Sequence, residues 1–217
     1  MLEITRSTER GSQNDPYLFY SIEIIEILQS YCKKGDLKVL DFGCGEQPFR
    51  KTIESKNCVY HSYDLQQNSK SSVGFLKTGD IKDEYYDLIL LSDVVEHCYD
   101  FQSLLKTIFK KLKKNGILVA TTPFLYREHE QPHDYWRMTS FCIDETYSEF
   151  GTIISRKKIG NAADVARIVV NEGIISKTFF ARLLKFIILK LVRFINSDSL
   201  FDFRESTFFS YAVCVRK

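Results

Sequence analysis

The sequence predicts an α/β fold built around a mostly parallel sheet, and three observations support this prediction. Short apolar runs with the composition of strands alternate with segments whose apolar residues recur at helical spacing. Most of the strand-like runs are almost continuously apolar, which is typical of parallel strands covered on both faces. The 217 residues include 44% hydrophobic side chains, enough to bury a core, so we expect a single domain over residues 1–217.

The N-terminal region, residues 1–34, is expected to be a polar loop followed by a helix. Asp15-Pro16 offers a capping acceptor and a first-turn proline, and Gly35 ends the helical pattern. The apolar residues between them recur at helical spacing: Ile22, Ile25, Leu28 and Cys32.

Seven further segments have the composition of strands, and two helices are expected among them, at 49–55 and 101–114. The last two strand segments are separated by about 48 residues with a mainly helical pattern. We therefore expect a helical insertion at 161–200 before the closing strand. The seven segments are 37–42, 58–63, 73–76, 87–91, 116–121, 152–159 and 208–215.

Charge and cysteine usage argue against two classes of protein. The net charge of +2 is too small to indicate a nucleic-acid-binding protein. The six cysteines are scattered and form no CxxC pair, which favours reduced thiols over a disulfide scaffold. The N-terminus lacks the order of a signal peptide, and no stretch of about 18 apolar residues predicts a membrane-spanning helix. We therefore expect a cytoplasmic location.

The segment after the first predicted strand has the composition of a ligand-binding turn. Asp41 lies near the end of that strand, and Gly43-Cys44-Gly45 follows it. Open parallel sheets bind ligands beyond the carboxyl ends of their strands, and glycine lets the backbone approach a ligand without a Cβ clash. Asp64 lies 19 residues after Gly45, where a carboxylate can accept hydrogen bonds from a ribose diol.

Two more segments are expected at the same binding site. Asp80-Ile81 could place a carboxylate against an adenine amino group and an apolar side chain against its ring. Ser92-Asp93 follows the strand at 87–91 and so lies at the same edge of the sheet. We expect all four residues to contact a nucleoside ligand.

In this order, the motifs resemble those of the class I S-adenosylmethionine-dependent methyltransferases. The first motif of that family is acidic-x-Gly-x-Gly-x-Gly, which Asp41, Gly43 and Gly45 match, while Gln47 replaces the third glycine. The later motifs fall on Asp64, Asp80 and the loop 92–97.

The resemblance implies a Rossmann-like fold whose seven-stranded sheet is parallel except for a reversed last strand. It also implies S-adenosylmethionine as the cofactor and methyl transfer, mainly to oxygen, as the reaction. A strand followed by two glycines also occurs in nicotinamide-dependent oxidoreductases, which are an alternative class for this sequence. The nicotinamide fingerprint G-x-G-x-x-G requires a glycine where this sequence has Pro48, which argues against that alternative.

Residues 132–139 resemble a segment of methyltransferases encoded with bacterial surface-polysaccharide genes. This resemblance implies a sugar or phosphorylated sugar of a glycan as the acceptor. Arg127 and Arg137 would then bind a phosphate or carboxylate, and Tyr135 and Trp136 would stack on a ring.

A general base is expected among the histidines at the carboxyl edge of the sheet, because histidine has a pKa that suits this role near neutrality. His133 is the first candidate, with Asp134 orienting it, and His97 is the second. Structural alternatives remain: Glu96-His97 can pack the cofactor pocket or cap a helix, and Asp134 can form a salt bridge with Arg137.

Other acceptors and a non-enzymatic role are also compatible with the sequence. A small-molecule or lipid-quinone acceptor predicts an apolar pocket, whereas a sugar site should be lined by Arg127, His133 and Arg137. The non-enzymatic alternative is a cofactor-binding scaffold at a membrane. No metal is expected, because Pro132 disfavours the helix that would bring His129 and His133 together.

The segment 176–196 combines apolar and basic residues and contains no acidic residue. Its four basic residues after position 180 fall within an arc of roughly 140° on a helical wheel. Such a helix can lie in an anionic membrane interface, which suits a lipid-linked glycan acceptor at the inner face of the membrane. The alternative is a core or dimer helix whose lysines extend to water. The four residues are Arg182, Lys185, Lys190 and Arg193.

Overall fold

The computed structural model describes residues 18–65, 80–173, 177–197 and 207–217. Its strands are β1 (Lys38–Phe42), β2 (Val59–Tyr63), β3 (Tyr86–Ser92), β4 (Leu112–Pro123), β5 (Thr152–Ile159) and β6 (Ser210–Arg216). They form one sheet in the order β2-β1-β3-β4-β6-β5. The first four strands pair in parallel, and β6 runs antiparallel to both β4 and β5. The predicted mostly parallel sheet with a reversed last strand is confirmed.

The prediction of seven strands is not confirmed. The described residues form six strands, and the seventh predicted strand, at 73–76, lies outside them. The helix start expected at Asp15-Pro16 also lies outside them.

The described part of the chain contains six α-helices, and none of them is long and apolar enough to cross a bilayer. Two of them lie between β5 and β6, in the segment predicted as a helical insertion. The helices are α1 (Leu18–Tyr31), α2 (Arg50–Glu54), α3 (Phe101–Lys111), α4 (Ser140–Ser148), α5 (Ala162–Gly173) and α6 (Phe179–Ser197).

Apolar side chains are buried on both faces of the sheet, because successive residues of a strand point to opposite faces. In β1, Leu40 belongs to the core cluster that contains residues of α3 and α4, whereas Val39 belongs to the cluster that contains residues of α1. In β3, Ile89 and Leu88 divide in the same way. This two-sided burial explains why the strands are almost continuously apolar in the sequence.

Candidate active site

A cleft of about 770 Å³ opens where the carboxyl ends of β1, β3 and β4 meet. This volume lies in the range of about 300–1,000 Å³ that is typical of small-molecule sites. Residues at the ends of β1, β2, β3 and β4 line it, together with Tyr20 of α1 and Phe209, which precedes β6. The lining residues discussed below are Tyr20, Gly43, Gly45, Asp64, Asp93, His97, Tyr126, His129, Glu130, Gln131, His133 and Phe209.

The turn after β1 is held against β2 by its own backbone. The amides of Gly43 and Cys44 both donate to the carbonyl oxygen of Tyr63, at 2.8 and 3.1 Å. Gly43 has a φ of +75°, and a Cβ at this position would lie 2.4 Å from Val94 Cγ2. Glycine is therefore required here both by the backbone conformation and by the close approach of the loop after β3.

Gly45 forms the part of the turn that faces open space. Its φ is +49°, and a Cβ built on it would meet nothing within 4 Å. Its amide donates to Asp64 Oδ2 at 2.8 Å, which holds the carboxylate at the end of β2 beside the turn. Both residues line the cleft, as the sequence predicted for a ligand-binding turn.

Asp41 lies beneath the cleft rather than in its wall. It is buried and accepts a hydrogen bond from the Tyr60 hydroxyl at 2.7 Å. Burial raises the pKa of Asp41 to about 7, although the hydrogen bond from Tyr60 opposes this, and the negative charge of Asp64 adds to the rise. Asp41 therefore supports the turn instead of lining the cleft beside it. Cys44, the middle residue of the turn, is buried in the same way.

A buried polar network connects α1 to the ends of β3 and β4. The Tyr20 hydroxyl lies 2.6 Å from Thr121 Oγ1 and 3.0 Å from Ser92 Oγ. Thr121 in turn donates to Asp93 Oδ1 at 3.0 Å. Burial raises the pKa of Asp93, which lines the cleft, while Ser92 is engaged in the network below it. Tyr20 was not predicted as a site residue, because only the tertiary fold brings α1 to this edge.

Asp80 and Ile81 do not line this cleft. Asp80 is exposed, whereas Ile81 is buried in one of the two core clusters. Residues 66–79, which precede them, lie outside the described part of the chain. The expected contact of Asp80 and Ile81 with a nucleoside stays a prediction.

Glu96, His97 and His129 come together at the wall of the cleft. His97 Nδ1 lies 2.6 Å from the carbonyl oxygen of His133, and because a carbonyl only accepts, Nδ1 carries the proton. In neutral His97, Nε2 is then an acceptor, and it lies 3.7 Å from Glu96 Oε1. The rings of His97 and His129 pack edge to face with centroids 4.6 Å apart. Burial raises the pKa of Glu96 well above its usual value.

Asp134 does not orient His133, which corrects the sequence prediction. Its carboxylate instead accepts hydrogen bonds from the His129 amide at 2.9 Å and from His129 Nδ1 at 3.1 Å. Both terminal nitrogens of Arg137 also donate to it, each at 2.7 Å. Burial alone would raise the pKa of Asp134, but the hydrogen bonds from Arg137 and His129 outweigh it and hold this pKa well below its usual range.

His133 is exposed and lines the cleft, and its hydrogen-bond partner is Tyr135 rather than Asp134. Its Nδ1 lies 2.9 Å from the Tyr135 hydroxyl. Tyr135 is itself 41% exposed and could still reach a ligand from outside.

The other residues expected to bind substrate hold the loop after β4. The guanidinium of Arg137 donates to the carbonyls of Tyr126, Arg127 and Trp136, in addition to Asp134. Trp136 donates to the Cys98 carbonyl at 3.1 Å. None of Arg127, Trp136 and Arg137 lines the cleft. The structural salt bridge that the sequence left open for Arg137 is the arrangement observed.

Arg127 is directed toward the helical insertion. Its Nε donates to Glu172 Oε2 at 2.8 Å, and the Tyr126 hydroxyl donates to the same oxygen at 3.2 Å. Because Tyr126 lines the cleft, Glu172 connects α5 to the cleft wall.

The fold and this site define a class of protein. Three features together are typical of the Rossmann-like S-adenosylmethionine-dependent methyltransferases. They are a sheet with a reversed last strand, a cleft at the carboxyl ends of the strands and a glycine turn after the first strand. A family model described as "Methyltransferase domain" matches residues 18–165. The chain therefore belongs to the methyltransferase domain family.

Solved structures share this fold at low sequence identity. A methyltransferase from Archaeoglobus fulgidus aligns with a TM-score of 0.59 at 16% identity, covering 93% of this chain and 97% of that one. Haemonchus contortus phosphoethanolamine N-methyltransferase 2, solved with S-adenosylmethionine, aligns with a TM-score of 0.57 at 13% identity, covering 97% and 58%. A Burkholderia thailandensis N1-methyltransferase with bound S-adenosylhomocysteine aligns with a TM-score of 0.59 at 11% identity, covering 90% and 76%.

Curated relatives match the chain over part of its length. Ubiquinone biosynthesis O-methyltransferase of Rickettsia bellii is 26% identical over 114 residues, covering 46% of this chain and 48% of the relative. The corresponding Rickettsia canadensis protein is 25% identical over 119 residues, covering 48% and 50%. The chain thus spans about half the length of the curated relatives that it matches.

Proposed function

We propose that this protein transfers a methyl group from S-adenosylmethionine to a hydroxyl oxygen of an acceptor bound in the cleft. One observation carries the proposal: the same cleft is lined by the Gly43–Gly45 turn and by three of the chain's four histidines, His97, His129 and His133. The first feature suits a nucleoside cofactor, and the second supplies groups that can accept a proton.

The turn after β1 and the end of β2 suit the cofactor. When bound, S-adenosylmethionine supplies a methyl group on a sulfonium, which needs no further activation. The open space at Gly45 gives room for the methionine end, and Asp64 is placed to accept hydrogen bonds from the ribose hydroxyls. Asp93 lies at the end of β3 on the same cleft. A displacement of this kind depends mainly on alignment of the acceptor and removal of its proton.

His133 is our candidate for the proton acceptor. It is exposed at the cleft. Because Tyr135 contacts its Nδ1, Nε2 is the ring nitrogen that we propose accepts the proton. Tyr135, rather than Asp134, therefore orients the ring. His97 is the second candidate, since its Nδ1 is fixed by the His133 carbonyl and it lines the same cleft.

The cleft supports an uncharged acceptor better than a phosphorylated one. No lysine or arginine lines it among the described residues, and Arg127 and Arg137 make their contacts elsewhere. Half-buried Tyr126 can stack on a sugar ring, and the exposed polar residues Glu130 and Gln131 can bind hydroxyls. Of the three residues expected to line a sugar site, only His133 does so, which argues against a phosphorylated sugar. An unphosphorylated sugar hydroxyl of a glycan is the first acceptor that we propose.

A phenolic or quinol hydroxyl is the second acceptor class. Tyr126 can stack on a flat ring equally well, and the buried aromatic residues Tyr20 and Phe209 add apolar surface to the cleft. The curated relatives carry the name ubiquinone biosynthesis O-methyltransferase. The discriminating experiment measures formation of S-adenosylhomocysteine with matched panels of unphosphorylated sugars, sugar phosphates and dihydroxyphenols. Turnover confined to one panel assigns the class. No turnover with any hydroxyl acceptor, while amine acceptors are methylated, would contradict O-methylation.

We also propose that α6 contacts an anionic membrane surface. Large apolar side chains remain exposed on it, among them Leu183, Leu184, Ile187, Leu191 and Phe194, so the described residues do not bury this face. Exposed Arg182 and Lys190 lie along one side of it, and Glu172 of the adjacent α5 binds the cleft wall at Tyr126. This arrangement suits a lipid-linked acceptor and a location at the inner face of the membrane.

A further inference from the structure

We infer that Glu96, His97 and His129 bind a divalent first-row transition-metal ion at the wall of the cleft. One ligating atom from each residue lies within 4.8 Å of those of the other two. Glu96 and His97 belong to the turn after β3, and His129 follows β4, which pairs with β3. Two neighbouring parallel strands thus bring three metal-ligating side chains to one point.

The state of Glu96 points to a missing ligand. Its side chain is fully buried, and neither carboxylate oxygen has a hydrogen-bond partner. Leaving a buried polar group without a partner is unfavourable and rare in folded proteins. Because Glu96 Oε1 lies 3.7 Å from His97 Nε2, the carboxylate faces the space between the three residues, where an ion would satisfy it.

Both histidines have Nδ1 engaged with the protein, as ligation of a metal through Nε2 requires. His97 Nδ1 donates to the His133 carbonyl, and His129 Nδ1 lies 3.1 Å from Asp134, whose carboxylate is fixed by Arg137. Each Nδ1 is therefore used as a donor, which leaves each Nε2 as a lone-pair ligand. A carboxylate or carbonyl behind the ligating imidazole is the usual outer shell of a protein metal site.

The donor set selects the kind of ion. Two imidazole nitrogens and one carboxylate suit Zn²⁺, Mn²⁺, Fe²⁺ or Co²⁺, whereas Mg²⁺ and Ca²⁺ prefer oxygen ligands. With ligand distances of about 2.0–2.2 Å, donors around one ion lie about 3–4 Å apart. Because the three donors lie within 4.8 Å of one another, each pair needs to close by at most about 1–2 Å to reach this arrangement. This is not the His129–His133 pair considered from the sequence, since His133 lies outside the trio.

The ion would have coordination positions open to the cleft, because His97 and His129 both line it. Its catalytic role rests on the proposed function. An acceptor hydroxyl on the ion would lose its proton to His133 more readily, since a bound cation lowers the pKa of the hydroxyl. The hydroxyl oxygen then forms a bond to the methyl carbon as the carbon–sulfur bond breaks, with its electron pair going to sulfur. The products are a methyl ether, S-adenosylhomocysteine and protonated His133.

The test is a titration of the chelator-treated full chain with Co²⁺. We expect one Co²⁺ per chain and visible absorption bands from the bound ion. Glu96→Gln and His129→Ala should each weaken binding at least tenfold, and Asp134→Asn should weaken it about 10- to 100-fold through the orientation of His129. The matched controls are His61→Ala, on β2, and the exposed Glu145→Gln, on α4, both of which should bind as the unaltered chain does.

Circular dichroism and thermal unfolding establish that each variant is folded. If His129→Ala fails to fold, Glu96→Gln still tests the site, because it is nearly isosteric with the unaltered residue. Stoichiometric binding that depends on Glu96 and His129 supports the site. No Co²⁺ binding by the folded chain, or equal affinity in folded Glu96→Gln, overturns it. Metal binding without methyl transfer would count against the proposed function and not against the site, and methyl transfer that survives chelation would overturn the role of the ion.

Discussion

At the scale of single residues, side chains of the loop after β4 have two different roles. We propose His133 for catalysis, whereas Asp134 and Arg137 hold the loop in its conformation. His133→Ala should lower kcat by about 10²- to 10⁴-fold, as expected for removal of a general base. The affinity for S-adenosylhomocysteine should stay the same, because the side chain of His133 contacts Tyr135 and not the Gly43–Gly45 turn.

Steady-state kinetics and calorimetry of this variant check the prediction, with His61→Ala as the control histidine away from the cleft. A kcat equal to that of the unaltered chain would remove His133 from the mechanism. His97 would then be the candidate only if the chain binds no metal ion, because metal ligation would occupy its Nε2.

The buried carboxyl of Asp41 gives a second prediction at this scale, on stability against pH. Its pKa is raised from 3.8 to about 7 in the folded chain, so the folded state holds a proton that the unfolded state releases. This contribution is fully present below about pH 4 and is lost as the pH rises to about 7, with a total of about 4 kcal/mol. Asp41→Asn should therefore flatten the fall in unfolding free energy across this range.

Urea denaturation of the ligand-free chain at pH 5 and pH 8 measures the effect, with Glu145→Gln as the exposed control. The amide introduced by Asp41→Asn cannot ionise, so the difference in stability between the two pH values should shrink by most of this amount. An unchanged difference would show that Asp41 is already ionised at pH 5.

At the scale of secondary-structure elements, β-rich composition predicted most of the sheet, whereas helical periodicity missed α4. The bounds predicted for β5, 152–159, are those observed, because the strand has distinct apolar ends and β-rich composition. Helix α4 was not predicted, since only Ile143 and Tyr147 of its nine residues are buried. Two apolar residues in nine give too weak a helical period for recognition.

Some features of the candidate site could be predicted from neighbouring residues in the sequence, and others depend on the tertiary fold. The turn at Gly43–Gly45 was predictable because its function depends on residues adjacent in sequence. The pairing of Asp134 with His129 was not, because Asp134 follows His133 directly and the fold of the loop determines which histidine it meets. The grouping of Glu96 with His129 depends on the pairing of β3 with β4 and has no local signal in the sequence.

Helix α6 carries the prediction that belongs to this scale. Its exposed apolar face should insert into the headgroup region of anionic vesicles, so Ile187→Asp with Leu191→Asp should abolish co-sedimentation. The control places the same number of negative charges on the exposed side of α3, as Gln102→Glu with Thr107→Glu. Arg182→Gln with Lys190→Gln should weaken binding about 30-fold, from about 1 kcal/mol per basic residue.

Co-sedimentation at low salt distinguishes the possible partners of this face. Binding to anionic vesicles that is lost in the apolar double variant supports the membrane contact. A chain that does not bind vesicles but forms dimers through the same residues would show that α6 is a subunit interface.

At the scale of the whole molecule, the cleft joins elements that are far apart in sequence. Tyr20 of α1, the turn after β1, the end of β2 and the loops after β3 and β4 all contribute to its lining. A ligand in this cleft therefore contacts both the N-terminal half of the sheet and the loop that holds the histidines. Its binding should stabilise the chain as a unit rather than one local segment.

Ligand-linked stability tests this property together with the assignment of the cofactor site. S-adenosylhomocysteine at about 100 times its Kd should add about 2.7 kcal/mol, which raises Tm by about 5–10 °C for a chain of this size. Gly45→Ala should lose most of this increase, because its Cβ enters the open space beside Asp64. Gly160→Ala is the matched control: its φ of +74° imposes a similar backbone strain of about 1 kcal/mol, and it should keep the full increase. A well-folded chain whose Tm does not respond to S-adenosylhomocysteine, or a Gly45→Ala variant that responds fully, would mean that the cofactor does not bind at this turn.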